Sequence, residues 1–341
     1  MPILMIGTQR SGSNLLRLML NQLSEVAAPH PPHILQRLMP LVSRYGDLGQ
    51  DKNFARLVDD VCRLVELNPV PWEGVKLDRK DVARRCSERS PTAVFGAAYD
   101  LLAEAWGKST WCCKSLANIF YLDEIEHYFR DAAKYIYLFR DGRDVAVSFR
   151  KAVVGEKHFY HIAREWGSTQ RIALAKRGQI GSSRFFNVRY EDLTADAETT
   201  MKALCKFLGY RYTPEMLDFH RTDEAKKAAS SSDLWGNVVN PVMRDNSRKF
   251  LREASAEDVQ IFELEAGDVL DALGYERAYT SKGEKRQFTE AEIRQFDIEN
   301  KRLKDEVMSK VDPEDLKRRD QQGALLAEIR ARPEAGRTAV A

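Results

Sequence analysis

The chain is 341 residues long, and its 53 lysines and arginines nearly balance 51 aspartates and glutamates, for a formal net charge of +2. That length suits one large α/β domain plus an appendage, and the charge balance gives no electrostatic ground for nucleic-acid binding, so any anion site must rest on individual basic residues. Five cysteines, two of them adjacent at Cys112-Cys113, suit neither a secreted disulfide framework nor a metal-ligand spacing, and no apolar run approaches membrane-spanning length.

Met1 to Ile6 is a short apolar run that predicts a strand, and it leads into Gly7-Thr8-Gln9-Arg10-Ser11-Gly12-Ser13-Asn14. Gly7 and Gly12 have the spacing of a Walker A loop, but Ser13 and Asn14 stand where Lys and Ser/Thr belong, and the cation is Arg10 within the loop. The Walker hydroxyl holds Mg²⁺ against the phosphates, so its loss argues against metal-assisted triphosphate chemistry and leaves the anion cradle. A helix beginning near Ser13, with Leu15, Leu16, Leu18, Met19, Leu20 and Leu23 on one broad face, would aim free backbone N–H groups at that cradle. Its dipole contributes about 0.3–1 kcal/mol and a charge-assisted bond from Arg10 roughly 1.5–3 kcal/mol, so the arginine matters as much as the helix end. Arg10 and the glycines also break any signal-peptide pattern, and the expectation is a reduced, cytoplasmic, soluble protein without a membrane span.

After a proline-rich stretch, Ala28 to His33, the pattern is helical from Ile34 to about Leu67 with a break near Gly46 to Asp51. Glu73 to Leu77 reads as a short strand, Pro91 to Trp106 as a helix, Thr110 to Lys114 as a strand and Leu116 to Phe129 as a helix. Lys134 to Phe139 is the clearest buried strand, ending at Arg140-Asp141-Gly142-Arg143-Asp144, with a helix from Asp144 through Ser148. Arg184 to Arg189 is a further strand, and the helix Thr199 to Leu208 is capped by Gly209. Ala228 to Met243 reads as a long loop before a helix at Ala256 to Leu273. From Arg277 the chain is highly charged; Phe288 to Val311 and Glu314 to Arg330 can be helical, with apolar positions too sparse to bury much. The alternation predicts an α/β fold, a mainly parallel sheet flanked by helices, over residues 1–276, with a charged helical extension over 277–341.

Ligands of an open parallel sheet collect at the carboxyl ends of its strands. Arg140 ends the best strand, and Ser148 lies two helical turns on, so the two form a second anion site beside the Gly7–Gly12 loop. Two such sites on one crevice suit a ligand with phosphates on both sides of a ribose.

These two segments carry a family resemblance. Thr8-Gln9-Arg10-Ser11-Gly12-Ser13-Asn14-Leu15-Leu16 resembles the 5′-phosphosulfate loop of sulfotransferases that use 3′-phosphoadenosine-5′-phosphosulfate (PAPS). Tyr137 to Ser148, containing Arg140-Asp141-Gly142-Arg143-Asp144, resembles the segment binding the 3′-phosphate. Arg189-Tyr190-Glu191-Asp192-Leu193 with Phe207-Leu208-Gly209 is similar to a third block, and Ser247-Arg248-Lys249 sits where the family brings a late basic segment over the nucleotide. The resemblance spans roughly Met1 to Tyr275. It implies a P-loop-like sulfotransferase fold and transfer of a sulfuryl group to a hydroxyl, with an amine second, giving adenosine 3′,5′-bisphosphate without a metal. The acceptor would be a small molecule or glycan and no nucleic acid.

By the same resemblance Arg10, where many relatives have Lys, stabilises the sulfuryl group and bridging oxygen, although Arg is the poorer proton donor. Ser11, Gly12, Ser13 and Asn14 cradle the 5′ side, while Arg140 and Ser148 hold the 3′-phosphate. Tyr190 lines the adenine pocket, or is a structural corner, and Arg248 or Lys249 clamps the 3′-phosphate, or is plain surface charge. Lys114 stands near the transferred group, or is a solvated strand end, and Ser115 shares its role. Some relatives place a histidine two residues after that lysine; here the position is Leu116, so the base is His33 first, His30 second, with Glu73 a further choice. The ordinary reading of both histidines is packing at the helix start near Ile34. Trp235 and its loop are expected to gate the substrate. The rival functions are a small-molecule or nucleotide kinase on the same fold, and a non-catalytic nucleotide-binding module.

Overall fold

The computed structural model of the protein describes residues 1–231, 233–244, 246–311 and 313–334. Five strands form one parallel sheet: β1 (Ile3–Gly7), β2 (Val26–Ala27), β3 (Thr110–Cys113), β4 (Lys134–Phe139) and β5 (Phe185–Arg189), in the order β2-β3-β1-β4-β5. Successive strand residues face opposite sides, so Leu4, Ile6, Tyr135, Tyr137 and Phe139 enter one apolar layer, and Ile3, Met5, Ile136 and Leu138 the other. Burial on both faces explains why β1 and β4 read as continuous apolar runs. The topology reverses at β1, where one neighbour is β3 and the other β4, and the crevice opens there beyond the carboxyl ends.

Helix α1 (Ser13–Leu20) leaves β1 through the phosphate loop, and a 16-residue helix spans Asp51–Glu66. Beyond β4, the helix Gly142–Lys151 is capped by the Asp141 carboxylate, which accepts from the Arg143 N–H. Arg143 turns into the core, bridging Asp141 and the fully buried Glu263, while Arg140, three residues earlier, turns to the crevice.

Three expectations change. Glu73 to Leu77 forms no strand, because the sheet ends at β2 and Trp72 buries instead against Tyr99. The stretch read as a loop, Ala228 to Met243, instead takes in the end of the helix Asp223–Ser231 and the 3₁₀ turn Asp233–Val239; Glu224 draws the helix inward by accepting from Arg17 and Asn21 of the α1 region. The side chain of Trp235 lies outside the described residues. The largest helix, Phe159–Ile180, was not anticipated; its Tyr137–Gln170–Thr8 hydrogen-bond relay fixes the phosphate loop, with Gln170 Nε2 to Thr8 Oγ1 at 2.6 Å.

The sparse apolar residues of the C-terminal segment bury more than their number suggests. Leu325, Leu326 and Ile329 of the helix Pro313–Arg330 join the main core, beside the Asp51–Glu66 helix. Gln322 is buried and donates to the Leu64 carbonyl at 2.7 Å. The helix Glu290–Met308 starts with a Thr289/Glu292 capping box, and Asn300 Oδ1 accepts from the N–H groups of Lys157 and His158. All five cysteines are free, and no described helix is long and apolar enough to cross a membrane.

Candidate active site

The phosphate loop is shaped by two glycines that no other residue replaces. Gly7 has φ 136° and its absent Cβ would lie 2.1 Å from the Leu138 carbonyl oxygen; Gly12 has φ 89° and its Cβ would lie 2.5 Å from the Tyr190 ring. Between them Arg10 adopts φ 67°, a left-handed conformation that costs a non-glycine residue about 1–3 kcal/mol. No side chain caps α1 and its first turn holds no acid, so the first N–H groups remain available to an anion. The Ser11 hydroxyl is buried with no hydrogen-bond partner among the described residues.

The second anion segment meets this loop directly. Arg10 Nε donates to Ser148 Oγ at 2.9 Å, across 138 positions of sequence. Arg140 donates to the Arg10 carbonyl at 3.1 Å and to the Asn246 carbonyl, and its guanidinium lies 4.4 Å from the centre of the Tyr190 ring. Its contact with Asp144 is loose at 3.8 Å, and Arg140 Nε has no hydrogen bond among the described residues. Asp144 spends one oxygen elsewhere, accepting the Phe250 N–H at 3.0 Å, and burial raises its pKa. Burial, then the neighbouring Arg140, lowers the pKa of Arg10. An anion between the two arginines would relieve that repulsion.

Lys114, just beyond β3, is buried and donates to Asn14 Oδ1 at 2.8 Å, which places it at the first turn of α1. Burial and nearby Arg17 and Arg10 push its ammonium down to about 7. His33 is half-buried, with φ 59°, and Nδ1 lies 3.0 Å from Ser115 Oγ. Desolvation, then Lys114 and Arg37, push its imidazole down to about 3, so it is neutral near pH 7. His30 is pushed well down by burial, then by Lys114, Arg17, His33 and Arg37, and its ring stands edge-on to His33. Its backbone carbonyl accepts from Asn68 Nδ2 and Trp72 Nε1, which pins the proline-rich stretch against the core.

Most of these groups line one cavity of about 1880 Å³. Arg10, Gly12, Ser13, Asn14, His30, His33, Lys114, Arg140, Ser148, Tyr190 and Lys249 face it, whereas Ser11 lies beneath the loop. Arg248 is exposed and absent from the lining, its positive φ turning the chain so that Lys249 faces inward. Glu73 is also outside, paired with Lys227. Asn246 was missed by sequence reading: its carbonyl accepts from Arg140 and its amide donates to the Tyr190 hydroxyl at 2.6 Å. The only sequence signal was its place beside Ser247-Arg248-Lys249.

Comparison with known proteins identifies the family. Residues 2–214 match the sequence model of the sulfotransferase family. Protein-tyrosine sulfotransferase 2 of Gallus gallus is 22% identical over 289 residues, covering 81% of this chain and 70% of that protein. Sulfotransferase 2A2 of Rattus norvegicus is 25% identical over 223 residues, covering 62% and 68%. Among solved structures, the sulfotransferase domain from the curacin biosynthetic pathway aligns with a TM-score of 0.57 at 21% identity, over 81% of this chain and 98% of that domain. The sulfotransferase domain of the Synechococcus PCC 7002 olefin synthase aligns with a TM-score of 0.56 at 20% identity, over 81% and 95%. These structures share the α/β architecture with its central parallel sheet. With more than half its length matched, the chain belongs to the sulfotransferase family.

Proposed function

We propose that the protein transfers a sulfuryl group from PAPS to an acceptor hydroxyl, with an amine the second choice. The observation that carries this reading is the direct contact of the two anion segments, Arg10 with Ser148 and Arg140 with the Arg10 carbonyl. A site that joins a 5′ cradle to a second cationic pocket suits a nucleotide with phosphates at both ends of one ribose. In this reading Ser13, Asn14 and the α1 N-terminus hold the 5′ side, with Ser11 supporting the loop from below. Arg140, Ser148 and Lys249 hold the 3′-phosphate, with Arg248 at its outer edge, and Tyr190 lies under Arg140 beside the base. PAPS supplies an activated sulfuryl group and a bisphosphate leaving group, and a metal is not required.

Arg10 and Lys114 would neutralise charge that develops between the sulfuryl group and its leaving oxygen. His33 would accept the acceptor proton through Nε2, in the tautomer whose Nδ1–H donates to Ser115 Oγ. A neutral imidazole is already the basic form, and bound anions beside Lys114 raise its proton affinity towards the useful range. His30, deeper and pinned through its backbone, takes the second place. Residues 1–276 are taken as the transferase unit and 277–341 as an extension from which Val307, Gln322, Leu326 and Arg330 line the cavity.

Calorimetric titration with adenosine 3′,5′-bisphosphate tests the reading, beside adenosine 5′-monophosphate and ATP with Mg²⁺. The bisphosphate is expected to bind best, with affinity lost in Arg140→Ala and kept in His33→Asn, which lowers turnover by roughly 10²–10⁴. Preference for ATP with Mg²⁺ would sink the proposal in favour of a kinase.

A further inference from the structure

The C-terminal helix lies beyond the family match, yet it walls the same cavity. Gln322, Leu326 and Arg330, spaced four residues apart, share one helical face, and all three line the cavity with Arg37, Pro40 and Leu41. Their charges are unusual for this region. Each neighbouring arginine is matched by acid: Arg44 by Glu334, Arg63 by Asp60 and Glu328, and Arg332 by Asp60 and Glu328. Neither Arg37 nor Arg330 has a carboxylate partner among the described residues, and the cavity-lining Glu306 is taken by Arg302 and Lys310. Arg37 is half-buried, and the one hydrogen bond of its guanidinium among the described residues, 2.7 Å, goes to the neutral Gln322 Oε1. Gln322 is itself clamped by donating to the Leu64 carbonyl. A buried amide thus holds a desolvated guanidinium at the cavity without neutralising it, an arrangement that costs free energy unless a ligand anion completes it.

We propose that this wall is an acceptor subsite for an anion, in which Arg37, positioned by Gln322, pairs with a carboxylate or phosphate carried by a hydroxyl-bearing, partly apolar acceptor. Leu41, Pro40 and Leu326 cover its apolar portion. Arg330, about 12 Å along the helix axis from Gln322, adds a second cation at the rim. The inference rests on the sulfotransferase reading, because it takes the hydroxyl to lie between His33 and Lys114. The C-terminal helix, through Gln322 and Leu326, then shares acceptor selection with Arg37, Pro40 and Leu41 of the family-matched region, which also handles the donor.

The test is calorimetry on the full chain saturated with adenosine 3′,5′-bisphosphate. Titrants are a chain-length series of ω-hydroxyalkanoates and their methyl esters, against wild type, Arg37→Gln and Gln322→Glu. The expected result is a wild-type preference for the best acid over its ester of about tenfold or more, the size of one charge-assisted hydrogen bond. That preference should fall towards one in both variants, Gln322→Glu acting by giving Arg37 an internal carboxylate. Bisphosphate binding with no acid preference, with a preference that survives Arg37→Gln, or with neither probe bound, overturns the subsite alone. Failure of the bisphosphate to bind wild type overturns the donor reading and the subsite together.

Discussion

Lys114 turns the site into a proton-linked one. Its folded pKa of about 7 lies below the ordinary lysine value of 10.5, so between those pH values the unfolded chain binds more protons than the folded one. Stability of the free protein therefore rises with pH across that window, and the full cost of burying the ammonium is felt below it. An anion beside Lys114 lifts its pKa, so bisphosphate binding at about pH 8 should take up protons. Titrations in two buffers of different ionisation enthalpy measure this uptake, which should vanish in Lys114→Met. His33 adds a term in acid: its folded value of about 3 lies below 6.5, so stability falls as pH drops through that interval. Arg10, Arg140 and Ser148 were legible from sequence because each sits within a local motif of fixed spacing. The environment of the histidines was not, since it depends on Asn68 and Trp72 reaching the His30 carbonyl from 38 and 42 positions away.

At the scale of elements, the phosphate loop is as much a packing solution as a binding one. The ring of Tyr190, which follows β5, fills the space beside Gly12 and also carries Arg140 on its face. Gly12→Ala is therefore expected to push the ring aside at a left-handed position. Destabilisation of about 1–3 kcal/mol should appear in the urea midpoint, together with weaker bisphosphate binding. Strands β1 and β4 were readable because buried parallel strands are unbroken apolar runs, and β5 because Phe185, Phe186 and Val188 favour strand. The Phe159–Ile180 helix was obscured because its buried face mixes Phe159, Ile162 and Trp166 with Gly167, Thr169 and Gln170. Its 3- and 4-residue spacings and the Gly181 stop were nevertheless present. The Asp223–Ser231 helix was hidden by Ser230 and Ser231 at its end, although Ala225, Lys226 and Lys227 favour helix, and its anchor to Arg17 is a tertiary contact.

Across the whole molecule, the C-terminal helix is part of the core. Ile329 is fully buried, so Ile329→Ala should cost about 2–5 kcal/mol in chemical denaturation, far more than an exposed appendage would lose. Its weight was illegible because three apolar residues among many charges look negligible until the groove they fill is known. The sheet order has another consequence, for the order of events during synthesis. Strand β1 emerges first but lies at the centre, with Ile3 opposite Cys112 on one side and Lys134 on the other. Until more than a hundred further residues have left the ribosome, its apolar run has no partner on either edge. Such distant pairing closes slowly and leaves an unpaired β-forming segment open to association with other nascent chains. Yield of folded protein should therefore depend on how well that segment is shielded in the interval before β4 arrives.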